Sequence, residues 1–335
     1  MLGHTGVGKT TYMAALYETM QQRVEGFHLK ISKSHDHSRL LDLAQMIRTG
    51  SYPSPTAQRD EYEFNLKYQG QDKFPFVWAD YRGGAITEKQ SNEQASLLVQ
   101  DLKQADGIMM FCDCDALAKG NQKAIQLGRM TNFVGRAVQE AEHPIALAVV
   151  LTKADLIIKF EESFLLPFKS LIDLVNASQW VMGAFVPIAC GVRSANVSMP
   201  LLFTLHAAVL SKATISAHLI ENHYNQAQAW VEKSQGLGGF AKWVGDKWNG
   251  SITDRQMAES QMLKAVEQYK EFELIKEPTE ALIQYIQKLP CIQQDKSVSS
   301  YVQELSKIHI GIKVSRSSSD SFSNYCTDPF DVFKM

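Results

Sequence analysis

Residues 3–10 carry the clearest chemical pattern of this 335-residue sequence, because GHTGVGKT matches GxxxxGK[ST] in full. In such a loop the glycines let successive backbone N–H groups point inward around a phosphate, Lys9 supplies a charge for the β- and γ-phosphates, and the Thr10 hydroxyl can ligate Mg²⁺. The helix expected from Thr10 adds its positive N-terminal end to this anion site. The loop alone does not distinguish ATP from GTP, because both carry the same phosphates. The predicted phosphate-binding residues are Gly3, His4, Thr5, Gly6, Val7, Gly8, Lys9, Thr10 and Thr11.

A second pattern can choose between the two nucleotides. Thr152-Lys153-Ala154-Asp155 follows the apolar run 145–151 and matches [NT]KxD, and open α/β sheets bind ligands at the carboxyl ends of such strands. The Asp155 carboxylate can accept two hydrogen bonds from guanine N1–H and the 2-amino group, which adenine cannot offer, while the Lys153 stem lies along the base. Alone, the pattern also suits an ordinary strand-to-helix turn. Its position after a phosphate loop favours guanine, with Thr152, Lys153 and Asp155 as base-site residues.

A third segment, Ala189-Cys190-Gly191, ends another apolar run. It lies where a short loop can offer a backbone N–H to guanine O6, so Ala189 and Cys190 join the predicted nucleotide-binding residues. The same residues are equally typical of a buried strand that ends at a glycine turn.

Two further segments could contact a metal ion and the third phosphate. The strand pattern at 77–79 runs into Asp80-Tyr81-Arg82-Gly83, a DxxG sequence. Asp80 can hold Mg²⁺ through a water, and the Gly83 N–H can sense a γ-phosphate. Thr56 could close over Mg²⁺, although it is also compatible with a proline-rich connector. The predicted metal ligands are therefore Thr10, Thr56 and Asp80, and the predicted catalytic residues are Lys9, Thr56 and Gly83.

The elements that must position these segments alternate between strand and helix over residues 1–215, which predicts an α/β fold with a mostly parallel sheet. Three unbroken apolar runs have the length and β-branched content of strands covered on both faces, and helical patterns separate them. The runs are 107–112, 145–151 and 184–189, with helices near 91–104, 121–142 and 160–178. Upstream, the pattern predicts a helix, a strand, an amphipathic helix and a hairpin at 10–20, 26–31, 38–48 and 62–79.

The ordered set GHTGVGKT, Thr56, DYRG, TKAD and ACG resembles the motif pattern of the Ras-like, translation-factor-related (TRAFAC) class of P-loop GTPases. Within that class, the Trp-x-Asp-Tyr-x-Gly form and the long insert before Thr56 look similar to bacterial double-GTPase-type proteins. The resemblance implies a P-loop three-layer sandwich with a mixed six-stranded sheet and helices on both faces. It also implies GTP and Mg²⁺ binding and a conformational switch at the third phosphate.

Three departures from that class affect what the resemblance implies. Only Met1 and Leu2 precede the loop, whereas a central strand needs about five residues, so we expect the N-terminal strand to be truncated. Ras-like members place a water-orienting glutamine directly after DxxG, whereas this sequence has Gly84. This predicts slow intrinsic hydrolysis unless Arg82, Glu88, Gln90 or a partner supplies the missing group. The roughly 45 residues between Thr10 and Thr56 leave room for an extra strand and helix that extend the sheet edge.

The composition of the chain favours a globular protein and gives no indication of nucleic-acid binding, disulfides, a zinc site or a membrane span. Apolar residues make up 45% and charged residues 21%, and the net charge of -2 is spread evenly, which gives no reason to expect nucleic acid. The five cysteines form no CxxC pair, so neither a disulfide framework nor a zinc site is indicated. No apolar run reaches the length of a membrane span. We expect a cytoplasmic protein, with peripheral membrane contact through the aromatic stripe at 240–248 as a lesser alternative.

The chain divides, on its composition, into a GTPase domain at 1–215, a helical extension or partner-binding module at 216–314, and a serine-rich, disordered tail at 315–335. The predicted function is a GTP-binding switch that hydrolyses GTP slowly with Mg²⁺ and regulates a protein partner through the switch regions or the C-terminal helices. The alternatives are a nucleotide-binding scaffold with little or no hydrolysis and an ATP-dependent P-loop enzyme.

Overall fold

The computed structural model describes most of the chain, in eight stretches. These are residues 1–54, 59–81, 84, 93–121, 126–139, 141–178, 180–235 and 254–308. Thr56, Gly83, the aromatic stripe at 240–248 and the serine-rich segment from residue 315 lie outside the described residues, so the predictions made for them stay predictions.

The described residues form strands and helices in alternation over the first two thirds of the chain. The strands are β1 (Phe27–Ile31), β2 (Asp60–Tyr68), β3 (Gln71–Asp80), β4 (Gly107–Asp113), β5 (Ile145–Thr152), β6 (Val181–Pro187), β7 (Ala189–Cys190), β8 (Ser194–Ala195) and β9 (Cys291–Ile292). The α-helices are α1 (Lys9–Met20), α2 (Ser34–Arg48), α3 (Glu93–Gln104), α4 (Cys114–Ala118), α5 (Leu127–Gln139), α6 (Glu162–Leu165), α7 (Lys169–Ala177), α8 (Met199–Gln235), α9 (Asp254–Ile286) and α10 (Val298–Ile308).

Strands β4, β5 and β6 form a parallel sheet, to which β9 adds in the antiparallel direction. All eight residues of β5 are buried, because helices cover both faces of the sheet. On one face Met110 and Cys112 of β4 join the core with Phe133 of α5, and on the other face Phe111 meets Tyr12 of α1, with ring centroids 5.2 Å apart. The three predicted apolar strands are confirmed, and the architecture is a mixed α/β sheet.

The predicted hairpin is also confirmed, as antiparallel β2 and β3 joined by a two-residue turn. Gln69 and Gly70 have φ of 49° and 88°, the left-handed pair that suits the twist of such a turn. β1 pairs with the outer edge of β2, so the insert before Thr56 does extend the sheet edge with a strand and, in α2, a helix. Phe64 of β2 stacks on Phe76 of β3 with ring centroids 5.5 Å apart, which anchors the hairpin register.

Met1 and Leu2 lie between β3 and β4 and connect the antiparallel sheet to the parallel one. The Met1 nitrogen donates to the Ala79 carbonyl at 2.9 Å. Leu2 forms a parallel bridge to β4, donating to Met109 O and accepting from Phe111 N, both at 2.8 Å. At the place where we expected a truncated strand, Leu2 thus pairs with β4 as a short parallel bridge, and Gly3 follows it directly.

The chain forms two compact units, one of Met1–Ala208 with the residues from Ala281 onward, and one of Val209–Glu280. In the first unit, β9 pairs with β6, and Tyr301 of α10 lies against Phe185 of β6 with ring centroids 5.7 Å apart. We expected this part of the chain within a helical extension. A two-residue strand carries no periodic pattern, which is why the sequence did not indicate it.

The second unit, Val209–Glu280, consists of the remaining turns of α8 and α9 in the described residues, and His223 Nδ1 lies 2.7 Å from Gln261 Oε1 within it. Among the described helices of the whole chain, none combines the length and the apolar character that crossing a bilayer requires.

Candidate functional site

The loop before α1 turns tightly because two of its glycines adopt left-handed conformations. Gly6 has φ 80° and Gly8 has φ 99°, and Gly8 stands directly before the first residue of α1. Gly3 is required for space instead, since a Cβ atom on it would lie 2.9 Å from the Cβ of Phe111. Gly3 therefore lets the loop pass close to β4, and Gly6 and Gly8 allow the left-handed turns that lead into α1.

The Lys9 ammonium lies inside this loop. Its Nζ donates to the carbonyl oxygens of Gly3, at 2.8 Å, and of His4, at 3.3 Å. Burial lowers the pKa of Lys9, and the negative charge of Asp80 opposes that shift. The His4 ring places Nδ1 2.6 Å from the Thr5 carbonyl, and burial lowers the pKa of the imidazole. Main-chain carbonyl oxygens of the loop thus hold the Lys9 ammonium next to the backbone amides that would bind an anion.

Asp80 ends β3 and is only 2% exposed. Its Oδ1 is buried and has no hydrogen-bond partner among the described residues. Burial raises the pKa of Asp80, while the positive charges of the Met1 amine and of Lys9 oppose the rise. An unsatisfied carboxylate oxygen is a suitable ligand for a hard cation. No group of three or more His, Cys, Asp and Glu side chains in the described part of the chain is placed to hold a metal.

One cavity of about 540 Å³ connects the loop to the predicted base site. Of the predicted residues, it is lined by Thr5, Gly6, Val7, Gly8, Lys9, Thr10, Thr11, Thr152, Lys153, Asp155 and Cys190. The other described residues predicted for the site do not line this cavity, and they are Gly3, His4, Asp80 and Ala189. Motifs that are about 140 residues apart in the sequence thus meet around one space.

Backbone hydrogen bonds fix the base end of the cavity. Ala154 N donates to Ile188 O at 3.1 Å and Ile188 N donates to Leu151 O at 2.9 Å, which ties the TKAD segment to the strand end before Cys190. The Thr152 hydroxyl donates to Cys112 O at 3.2 Å on the neighbouring strand. These bonds hold the two segments side by side, as expected for adjacent strand ends of a parallel sheet.

The base end also carries an ion pair. The Lys153 Nζ lies 2.5 Å from Asp113 Oδ2, and Lys153 has a left-handed backbone, with φ 55°. Burial raises the pKa of the Cys190 thiol, with the charge of Asp155 adding to the rise, so this cysteine stays protonated at neutral pH. Within the described residues, the base end therefore presents the Asp155 carboxylate beside a lysine whose charge Asp113 balances.

Several lining residues were missed by the sequence reasoning. They are Tyr52, Pro53, Ser54, Leu156 and Gly191. The Tyr52 hydroxyl lies near Gly191, 3.4 Å from where a Cβ of that glycine would stand. Tyr52 is an aromatic residue in the loop that follows α2, and no local pattern indicated its place in the cavity. Asp113 was missed as well, although an aspartate directly after a buried run is a recognisable feature.

Comparison with known protein families matches residues 1–179 to the family described as Double-GTPase 2. No curated protein and no solved structure matches the chain. The match covers more than half of the 335 residues and includes the phosphate loop, the Asp80 segment and the TKAD segment. It confirms the resemblance to double-GTPase-type proteins. The chain therefore belongs to the Double-GTPase 2 family.

Proposed function

We propose that the cavity binds GTP and GDP, with the phosphates at residues 3–10 and guanine at Lys153 and Asp155. The observation that carries this proposal is that one cavity is lined by the glycine loop, the TKAD segment and Cys190. Membership of a GTPase family implies guanine nucleotide binding. The chemistry of the two ends is complementary to a nucleotide, because main-chain amides and Lys9 suit phosphates and a carboxylate suits the guanine edge.

The backbone amides of Ala189 and Cys190 are our proposed contacts to guanine O6. We also assign the fold to the P-loop three-layer sandwiches. This assignment is supported by the buried parallel sheet, by the helices on both of its faces and by the glycine loop between Leu2 and α1.

Mg²⁺ fits this site through Asp80 and Thr10, with Thr56 as a further predicted ligand. The buried, unsatisfied Oδ1 of Asp80 supports this assignment, and Mg²⁺ is commonly bound by one or two side chains together with substrate phosphates. When bound, the ion would neutralise phosphate charge. Lys9 would add a second positive charge, and the amides of residues 5–11 would orient the phosphates without needing to rearrange.

Hydrolysis, in our proposal, is slow and depends on positioning and charge rather than on a general base. Gly84 stands where a glutamine would orient the attacking water. Lys9, Thr56 and Gly83 are the proposed catalytic residues, and the segments at 50–60 and 82–92 would present a changed surface to a partner protein in the cytoplasm. Gly84 also supports a second candidate, a nucleotide-binding scaffold with little hydrolysis. The presence of Asp155 in the cavity favours both over an ATP-dependent enzyme.

Equilibrium binding of fluorescent GTP, GDP and ATP to the full chain tests the proposal. We expect guanine nucleotides to bind at least 100-fold more tightly than ATP, because an unpaired carboxylate at the base end disfavours adenine. Asp155→Asn should transfer that preference to xanthine nucleotides, whereas exposed Asp173→Asn on α7 should leave it unchanged. Preference for ATP, or unchanged GTP affinity in Asp155→Asn, would overturn the base assignment. Phosphate release over hours then separates slow hydrolysis from a scaffold.

A further inference from the structure

Asp113 and Lys153 form an ion pair between the ends of two neighbouring strands. β4 and β5 are in parallel register with Asp113 opposite Thr152, so the residue after Thr152 falls within reach of the Asp113 carboxylate. Asp113 Oδ2 lies 2.5 Å from Lys153 Nζ. The Asp113 side chain is 9% exposed and that of Lys153 is 42% exposed. The carboxylate is therefore nearly buried, whereas the lysine side chain lines the cavity.

The two oxygens of Asp113 have separate partners. Oδ1 accepts from the backbone N–H of Asp115 at 2.9 Å and of Ala116 at 3.2 Å, which caps α4, while Oδ2 pairs with Lys153. Because both oxygens are engaged, the carboxylate cannot rotate without losing a bond. The cap therefore holds the carboxylate in the orientation that the lysine needs.

This pairing changes what the cavity presents to a ligand. The basic residues that line it, among those the structure describes, are Lys9 at the loop and Lys153 at the other end. With its ammonium held at Asp113, Lys153 offers the cavity its hydrocarbon stem, and its charge is balanced. A long lysine chain that is already ordered also loses less conformational entropy when a base packs on it. Among the described lining residues, the basic side chain that is not held in an ion pair is then Lys9.

We propose that Asp113 is a positioning residue of the nucleotide site, which holds the Lys153 stem along the base and leaves Lys9, among the described lining residues, as the cationic anchor for phosphate. This inference rests on the proposed guanine nucleotide site. It adds a specific role for a residue outside the TKAD sequence.

A double-mutant cycle on the full chain, read by fluorescent GDP binding, tests this role. Asp113→Asn keeps an oxygen that can cap α4 and removes the charge that holds Lys153. We expect it to weaken GDP binding about 10-fold in the wild-type background. In a Lys153→Met background, where the stem remains and the ammonium is absent, Asp113→Asn should change GDP affinity less than twofold. If Asp113→Asn does not fold, Asp113→Ser, whose hydroxyl can also cap, replaces it.

Two outcomes would overturn the role of Asp113. One is unchanged GDP affinity in Asp113→Asn, and the other is an equal loss in both backgrounds, which would mean that Asp113 acts independently of Lys153. Asp113→Ala removes both the helix cap and the charge, and its GDP affinity shows how much loss of the cap adds to the effect of Asp113→Asn. Failure of the proposed nucleotide site would be recognised separately, because the wild-type chain would then bind no guanine nucleotide.

Discussion

The Tyr81 hydroxyl donates to Oδ2 of Asp101 on α3, 2.5 Å away, and Arg59 donates to the same oxygen at 2.7 Å. The Arg59 guanidinium also lies over the Tyr81 ring, 5.2 Å from its centroid. Arg59 follows Thr56 by three residues, and Tyr81 directly follows Asp80. One carboxylate on α3 therefore connects Arg59, within the first predicted switch segment, to Tyr81, which directly precedes the second.

Replacing this carboxylate should destabilise the fold. Burial and the hydrogen bond to Asp101 raise the pKa of Tyr81, so the phenol remains a donor across the neutral range. In Asp101→Asn the two donors lose a charged acceptor, and we expect the free energy of unfolding to fall by about 1–2 kcal/mol in urea titrations. Glu61→Gln is the matched control, because Glu61 also pairs with Arg59 but is 51% exposed. An equal loss in both variants would contradict the central place of Asp101.

Lys9→Met should separate binding from stability. The ammonium is buried on carbonyl oxygens, so removing it lifts a desolvation penalty while it deletes the charge that would meet phosphate. We expect GDP affinity to fall at least 10-fold, with the nucleotide-free unfolding free energy lowered by no more than about 1 kcal/mol. Isothermal titration and urea unfolding measure the two quantities. Exposed Lys119→Met controls for the loss of a lysine, and a nucleotide affinity that survives Lys9→Met would remove Lys9 from the phosphate site.

Gly3→Ala should damage the loop through simple overlap. The added methyl would meet the Phe111 Cβ and Val7 Cγ1, both at 2.9 Å, and strand and loop would have to move apart. We expect a loss of about 1–3 kcal/mol of stability together with weaker GDP binding. Gly128→Ala is the matched control, since Gly128 lies in α5 and a Cβ there meets nothing within 4 Å. That variant should gain up to about 1 kcal/mol. A stable Gly3→Ala chain with normal binding would disprove the steric account.

His206 should make stability depend on pH. Burial lowers the pKa of His206 from 6.5 to about 4. Between these two pH values the imidazole is therefore protonated in the unfolded chain and neutral in the folded chain. This contribution to stability is complete above pH 6.5 and is lost as the pH falls toward 4, at a cost of about 2 kcal/mol by pH 5. In His206→Gln the difference in unfolding free energy between pH 7 and pH 5 should shrink by that amount. Exposed His35→Gln is the control, and an unaltered pH difference in His206→Gln would contradict the prediction.

Much of the sheet and of the cavity lining could be predicted from the sequence, because the relevant information is local. Apart from Thr152 at its end, β5 consists of apolar residues that are buried on both faces, and Gln69-Gly70 is a pair of residues typical of a tight turn. Because the carboxyl ends of parallel strands lie at one edge of a sheet, we expected the glycine loop, TKAD and Cys190 to lie close together. These segments do line one cavity.

The remaining features depend on tertiary contacts that local patterns do not encode. Ser38 looked like the start of α2, yet the helix begins at Ser34 with Lys33 before it and no side-chain cap. The pairing of Asp113 with Lys153 joins residues 40 positions apart, and no local pattern indicates that these two residues are partners. The two-residue β9 exists because β6 offers it an edge. Tyr52 was missed because an aromatic residue in a loop has no preferred role until its neighbours are placed.

The return of the chain to the sheet after Glu280 makes Val209–Glu280 an insertion within the first unit rather than a module appended to it. A chain truncated at Ala208 would therefore lose β9 and α10 and uncover the face of β6 on which Tyr301 packs. An internal deletion of residues 209–280, in contrast, keeps every strand given above. The strands of the sheet, and the strand ends on which the cavity is built, therefore do not depend on the sequence of residues 209–280 for any of their residues.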